Sequence, residues 1–128
     1  MQKKTVSACQ IQAIGVDSRH EIPSSSFTAS SSRAGNVPDE GRLYGDGAWL
    51  PSSNSNPKDY LQIHLKYVFF ICAVATQGNP QTDQWTSKYK LLLSLNSTTW
   101  MTYKENGADK VSNECIQHSL IICFKFVI

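Results

Sequence analysis

Three histidines, four cysteines and ten carboxylates are the first candidates in this chain for acid, base, nucleophile or metal-ligand chemistry. His20, His64 and His118 each stand without a second ligand type at metal spacing, and Cys9, Cys72, Cys115 and Cys123 never form a Cys-x-x-Cys pair. No metal and no cofactor is expected. Serines are plentiful, but none sits in a Gly-x-Ser-x-Gly elbow, and no cysteine occupies a strand-to-helix turn. Asp39 and Glu40 are neighbours in a loop, so they read as a solvated pair, not as two carboxyls flanking a sugar bond. Gly41, Gly45 and Gly47 precede no helix whose N-terminus would cradle a phosphate. These patterns point away from an enzyme. Asn96-Ser97-Thr98 is an N-glycosylation acceptor in a protein that is exported, and the spread of the cysteines leaves room for one long-range disulfide.

The elements that must position such residues belong to one domain, since the chain has 128 residues. A net charge of +2 with both signs interspersed leaves no electrostatic footprint for nucleic acid, which is not an expected partner. The opening "MQKKTVSACQ" has basic residues with no apolar run behind them, so it does not read as a signal peptide. The chain is then either retained inside the cell or a piece of a larger secreted protein. No segment approaches the roughly 20 apolar residues that cross a bilayer. The C-terminal "SLIICFKFVI" is too short for that and is interrupted by Lys125.

Residues 24–46 are rich in Ser, Gly, Asn, Asp and Pro and read as loops and short strands, with Phe27 an anchor into a core between two serine clusters. In "DYLQIHLK" the apolar Leu61, Ile63 and Leu65 alternate with polar residues, which predicts a half-buried strand and turns His64 outward. Residues 67–75 are almost continuously apolar and predict a strand buried on both faces, 71–75 being a central strand of the fold. At Thr76-Gln77-Gly78 the chain becomes polar; Gly78 is expected to release the backbone into a turn, and 79–84 to form a displayed loop held at its far end by Trp85. Cys72 reads as a buried free thiol. Residues 88–95 and 98–105 predict a hairpin about Asn96-Ser97. The fold class is all-β, a sandwich or barrel. Trp49, Trp85 and Trp100 fall at strand edges, where a ring packs over the end of a sandwich. Val37 and Tyr44 lie inside polar loops and are candidates for ligand contact.

The ordered blocks "IPSSSFTASSS", "GRLYGDGAWLP", "DYLQIHL", "AVATQG" and "WTSKYKLLLSLNSTTWMTYKE" resemble, in sequence and spacing, a discoidin domain, the C-type domain of coagulation factors five and eight. The resemblance covers about residues 9–111, with 1–8 as an N-terminal tail and 112–128 as an atypical C-terminal tail. It implies a jelly-roll β-sandwich acting outside the cell or at its surface, within a larger secreted protein, as a non-catalytic ligand-binding or adhesion module. Residues 33–38 and 79–84 correspond to ligand-binding loops, and 44–49 to the wall between them. The candidate contacts are Asn36, Val37, Tyr44, Trp49, Asn79, Pro80 and Gln81, and a glycan or protein ligand suits their chemistry. Anionic phospholipid is the alternative, but the first loop, "RAGNVP", offers only Val37, whose burial contributes roughly 1.5 kcal/mol.

The chain departs from the family where His64 replaces the usual acid and after Lys110, where the closing strand pair and the terminal cysteine block do not occur. Cys9 corresponds to the family's first cysteine, whose partner is that terminal one; Cys115 or Cys123 replaces it only if the Cα atoms come within about 7 Å. The sequence therefore reads as a domain lacking its C-terminal strands, and a truncated, inactive fragment is the third functional reading. The run "SLIICFKFVI" is expected to fill part of that vacancy as a strand.

Overall fold

The computed structural model describes residues 13–69, 71 and 74–104 together with the backbone of 121–127. Leu61, Ile63 and Leu65 are buried while Gln62 and His64 between them are half-buried, the period-two pattern of a strand with one core face. That strand, β2 (Tyr60–Phe69), is joined by β1 (Phe27–Ala29), β3 (Lys90–Ser94), β4 (Met101–Thr102) and β5 (Ile121–Val127). The five form one antiparallel sheet in the order β1-β2-β5-β3-β4, so the expected all-β class is what the described residues adopt. Two short 3-10 turns, Ser24–Ser26 and Pro38–Gly41, complete the regular structure among the described residues.

Register explains the core. Leu61 and Leu91 flank Phe126 of β5, Ile63 and Leu93 flank Phe124, and Phe27 pairs with Ile63. Partners opposite one another in a ladder share a face, so Phe27, Leu61, Ile63, Leu91 and Leu93 fall together with Leu65, Ile22 and Ile71 in one buried cluster. Each such side chain contributes roughly 1.5–3 kcal/mol on leaving water. Ile14, Val16, Trp49, Val74 and Tyr103 pack against that cluster from outside the ladder. The C-terminal run "SLIICFKFVI" does supply a strand, and it runs between β2 and β3.

The second half of β2 departs from expectation. Lys66 has φ of 67°, a left-handed conformation, and the β2–β5 register shifts between His64 and Phe69. A non-glycine residue there breaks the pleat and resets the alternation. Tyr67 (72% exposed) and Val68 (43%) consequently face solvent, so the apolar run is not buried on both faces. The strand ends at Phe69, and Ile71, Val74 and Ala75 lie outside any strand, although Ile71 is buried. Cys72 lies outside the described residues. The hairpin forms as expected but is narrower, with Leu92 opposite Thr102 and Leu93 opposite Met101.

Two polar clusters tie the loops to this sheet. Asp59 is buried, and its Oδ1 accepts the hydroxyls of Ser30 at 2.6 Å and Ser31 at 3.0 Å. Because Ser30 N–H also donates to the Tyr60 carbonyl at 3.1 Å, the second serine cluster closes the base of the 30–59 excursion. On the core side the buried Arg42 guanidinium lies 4.3 Å over the Phe27 ring, and its Nη1 donates to the Val16 carbonyl at 2.9 Å. Its Nε and Nη2 find no acceptor among the described residues, and burial lowers its pKa. The ring face partly offsets that lost hydration.

Candidate functional site

The topology carries the candidate loops to one end of the sheet. Tyr60, Val127 and Lys90 share a register row, so the chain leaves β1 towards that row at Ala29 and re-enters β3 there. Residues 30–59 and the approach to Lys90 therefore meet at the Tyr60 end. The turn between β3 and β4 follows Ser94, in the row of His64, at the other end.

Residues 33–38 form a tight turn in which Asn36 N–H donates to the Arg33 carbonyl at 2.9 Å. Gly35, with φ of 79°, supplies the left-handed third position that such a turn requires. The turn is docked on the next segment: Arg33 N–H donates to the Leu50 carbonyl at 2.8 Å, and Asn36 Nδ2 to the Ala48 carbonyl at 2.9 Å.

Residues 44–49 in turn hold the third loop. Gln77 Oε1 accepts the Tyr44 N–H at 2.8 Å, and Gln81 Nε2 donates to the Asp46 carbonyl at 2.8 Å. Tyr44 has φ of 59°, a conformation that costs an L-residue about 1–2 kcal/mol. The Glu40 carboxylate lies in the space a Cβ would fill at Gly47, so this segment packs directly against the Pro38–Gly41 turn. Residues 79–84 close on themselves: Asn79 N–H donates to the Gln84 carbonyl at 2.8 Å, and Asn79 Oδ1 accepts the Gln81 N–H at 3.0 Å. The three segments are thus one hydrogen-bonded unit, with 44–49 in the middle.

Within it the candidate residues divide. Val37 (46% exposed) and Tyr44 (82%) project outward, and Pro80 and Gln81 are exposed. Asn36 and Asn79 are half-buried, with their amide nitrogens donating to Ala48 and Gln84. Trp49 packs against the core while its Nε1 donates to the Ser31 carbonyl at 3.0 Å. Of the disulfide candidates, Cys9 and Cys115 lie outside the described residues; Cys123 is in β5, opposite His64 and Ser94 in register. Asn96 is exposed in the β3–β4 turn.

Three expectations need correction. Trp85 does not pack over the sandwich or anchor the loop by its ring, which is 72% exposed; the Asn79–Gln84 hydrogen bonds close the loop instead. Gly78 does not have positive φ, and a Cβ there would make ordinary contacts at 3.4 Å and 3.6 Å with Gln84 and Trp85, so its glycine is not required by sterics. Asp39 and Glu40 are not a free solvated pair, because Arg19 Nη2 lies 3.4 Å from Asp39 and 3.7 Å from Glu40. The Ser24 hydroxyl, at 2.7 Å, chiefly holds the Asp39 carboxyl below its ordinary pKa; burial opposes this and Arg19 adds to it. Sequence reading missed Gln77 as a clasp and Arg42 as a core residue. Among the described residues no group of three or more His, Cys, Asp and Glu could hold a metal ion, and no helix is long and apolar enough to cross a membrane.

Residues 26–120 match the family model of the F5/8 type C domain. The chain belongs to this family, the discoidin domains. The family fold is a β-sandwich, in keeping with a strand-rich architecture with little helix; β5 begins one residue beyond the matched stretch. The chain is 38% identical over 80 residues to human neuropilin-2, covering 59% of this chain and 8% of that protein. It is 32% identical over 104 residues to epithelial discoidin domain-containing receptor 1 of Pan troglodytes, covering 77% of this chain and 11% of that protein. The chain therefore spans about a tenth of the length of these curated relatives.

Proposed function

We propose that this discoidin domain is a non-catalytic ligand-binding module of an extracellular or cell-surface protein, and that its ligand is a protein. The observation that carries the reading is the division of labour among the loop side chains. Val37, Tyr44, Pro80 and Trp85 are displayed, whereas the amide nitrogens of Asn36, Asn79 and Gln81 are engaged in holding the loops together. Glycan recognition draws on convergent polar groups left open for sugar hydroxyls, and these donors already have protein acceptors. A protein interface draws its affinity from aromatic side chains that lose water on contact, with Tyr and Trp foremost. The strained Tyr44 backbone supports the same site, since such strain persists where the surrounding structure imposes it and concentrates at functional positions. A relative named as a receptor supports placement at the cell surface.

The test is binding of the labelled chain to a panel of cultured cells. Saturable binding that is abolished by trypsin treatment of the cells, and is indifferent to glycan removal and to competing phosphatidylserine vesicles, is the expected result. The double variant Tyr44→Ala/Trp85→Ala should weaken it by roughly tenfold or more, about 1.4 kcal/mol. Loss after deglycosylation would assign the loops to a glycan, competition by vesicles would assign them to anionic lipid, and no binding at all would overturn the reading.

A further inference from the structure

At the opposite end of the sheet from the ligand loops, the turn between β3 and β4 carries the chain's Asn-x-Ser/Thr triplet, Asn96-Ser97-Thr98. The turn is built around the side-chain oxygen of Asn96. Oδ1 accepts the backbone N–H of Thr98 at 3.0 Å and of Thr99 at 2.8 Å, and the hydroxyl of the buried Ser94 at 3.2 Å. This Asx-turn leaves Nδ2 with no partner among the described residues, on an exposed side chain. The atom that would be modified is therefore not the atom that shapes the turn.

The same end of the sheet exposes several large apolar side chains. Leu95 is 53% exposed beside Asn96, Met101 51% exposed where the turn re-enters the sheet, and Tyr67 and Val68 are exposed on β2 beyond the His64–Ser94 row.

We propose that Asn96 carries an N-linked glycan that covers these apolar side chains and leaves the Val37–Tyr44–Trp85 end open to ligand. The inference rests on the reading that the protein is exported. In the transfer, Asn96 Nδ2 forms a bond to the anomeric carbon of a polyprenyl-diphosphate-linked oligosaccharide. The anomeric C–O bond breaks, its electron pair leaves with the polyprenyl diphosphate, and one Nδ2 proton passes to a base; nothing is oxidised or reduced. The product keeps Oδ1 as an acceptor, so the folded turn accommodates the sugar without rearrangement.

The test directs the full chain through the secretory pathway of cultured animal cells with a fused leader and examines medium and lysate together. Expected is a mobility shift removed by peptide N-glycosidase, with the resulting Asn-to-Asp conversion mapped to residue 96 by mass spectrometry. Thr98→Ala and Asn96→Asp both lose the shift while preserving the acceptor that organises the turn, so they separate loss of the glycan from loss of the fold. Enzymatic removal of the sugar should raise binding of an apolar dye and promote association, and Leu95→Ser/Met101→Ser should blunt that rise. An unshifted chain in both fractions, or conversion at another asparagine alone, overturns the assignment. Equal dye binding before and after sugar removal overturns the covering role. Because export is imposed by the leader, these outcomes stand apart from the cell-binding result: a glycosylated chain that binds no cell refutes the ligand site and not Asn96.

Discussion

Gln77 and Tyr44 are 33 positions apart in the chain and meet where the Gln77 Oε1 accepts the Tyr44 N–H at 2.8 Å. This bond fastens the loop unit to the stretch that follows β2 and holds the Tyr44 ring outward. Gln77→Ala should release it. Amide exchange at Tyr44 is expected to accelerate while the global melting midpoint moves little, because an exposed neutral hydrogen bond contributes only about 0.5–1.5 kcal/mol. Unchanged exchange at Tyr44 would show that the clasp does not hold the loop.

Tyr44 itself sits in a conformation that suits Asn better than an aromatic residue. Tyr44→Asn is expected to raise stability by up to about 1 kcal/mol in urea denaturation and to weaken ligand binding. A variant that is less stable than the parent would mean that the ring packs on the protein and is not held out for a ligand.

Arg42 is buried with two nitrogens lacking acceptors among the described residues, so its shape and its charge can be separated. Arg42→Ala should cost about 2–3 kcal/mol through the cavity over Phe27 and the unpaired Val16 carbonyl. Arg42→Met, which fills similar volume and has no charge to desolvate but also leaves the Val16 carbonyl unpaired, should cost about 1 kcal/mol less than Arg42→Ala. Equal losses in chemical denaturation would place the energy in the charge.

Asp39 gives the fold a defined acid response. Its carboxyl titrates lower in the folded chain than in the unfolded one, mainly because of the Ser24 hydroxyl. The stability it contributes is therefore fully present above the unfolded value, near pH 4, and is lost as the pH falls through the folded value. Ser24→Ala should move the Asp39 titration upward when followed by NMR, and the difference in melting temperature between parent and variant should shrink as the pH is lowered from 5 towards 2. A difference that persists undiminished at the acid end would remove Asp39 from the account.

How far the sequence specifies this molecule depends on the range of the forces involved. The alternation of Leu61, Ile63 and Leu65 and the lone large ring at Phe27 are local patterns that burial obeys, and they mark the core in the order of the residues alone. The end of β2 is not local. Apolar residues at 67–75 signal contact with something, but the left-handed Lys66 and the shifted register decide that Tyr67 faces solvent and that Ile71 is buried without a ladder. In the loops, composition separates polar from apolar and says nothing of which amide turns inward. Asn36 and Val37 are adjacent and do opposite things, because one finds the Ala48 carbonyl and the other finds no cover. Trp85 illustrates the converse, a residue type that usually packs but here lies on a loop closed by its neighbours.

The position of β5 between β2 and β3 also sets an order of events during synthesis. A ribosome delivers β2 and β3 first, and neither has its inner neighbour until Val127 has cleared the exit tunnel. Until then two apolar ladders stand open in a nascent chain, able to pair with each other or with another polypeptide. The sheet is therefore completed only once β5 has emerged, in a step that joins residues distant in sequence and is correspondingly slow. Chaperone engagement during that interval, more than the strength of the finished core, should govern how much of the protein reaches its native form.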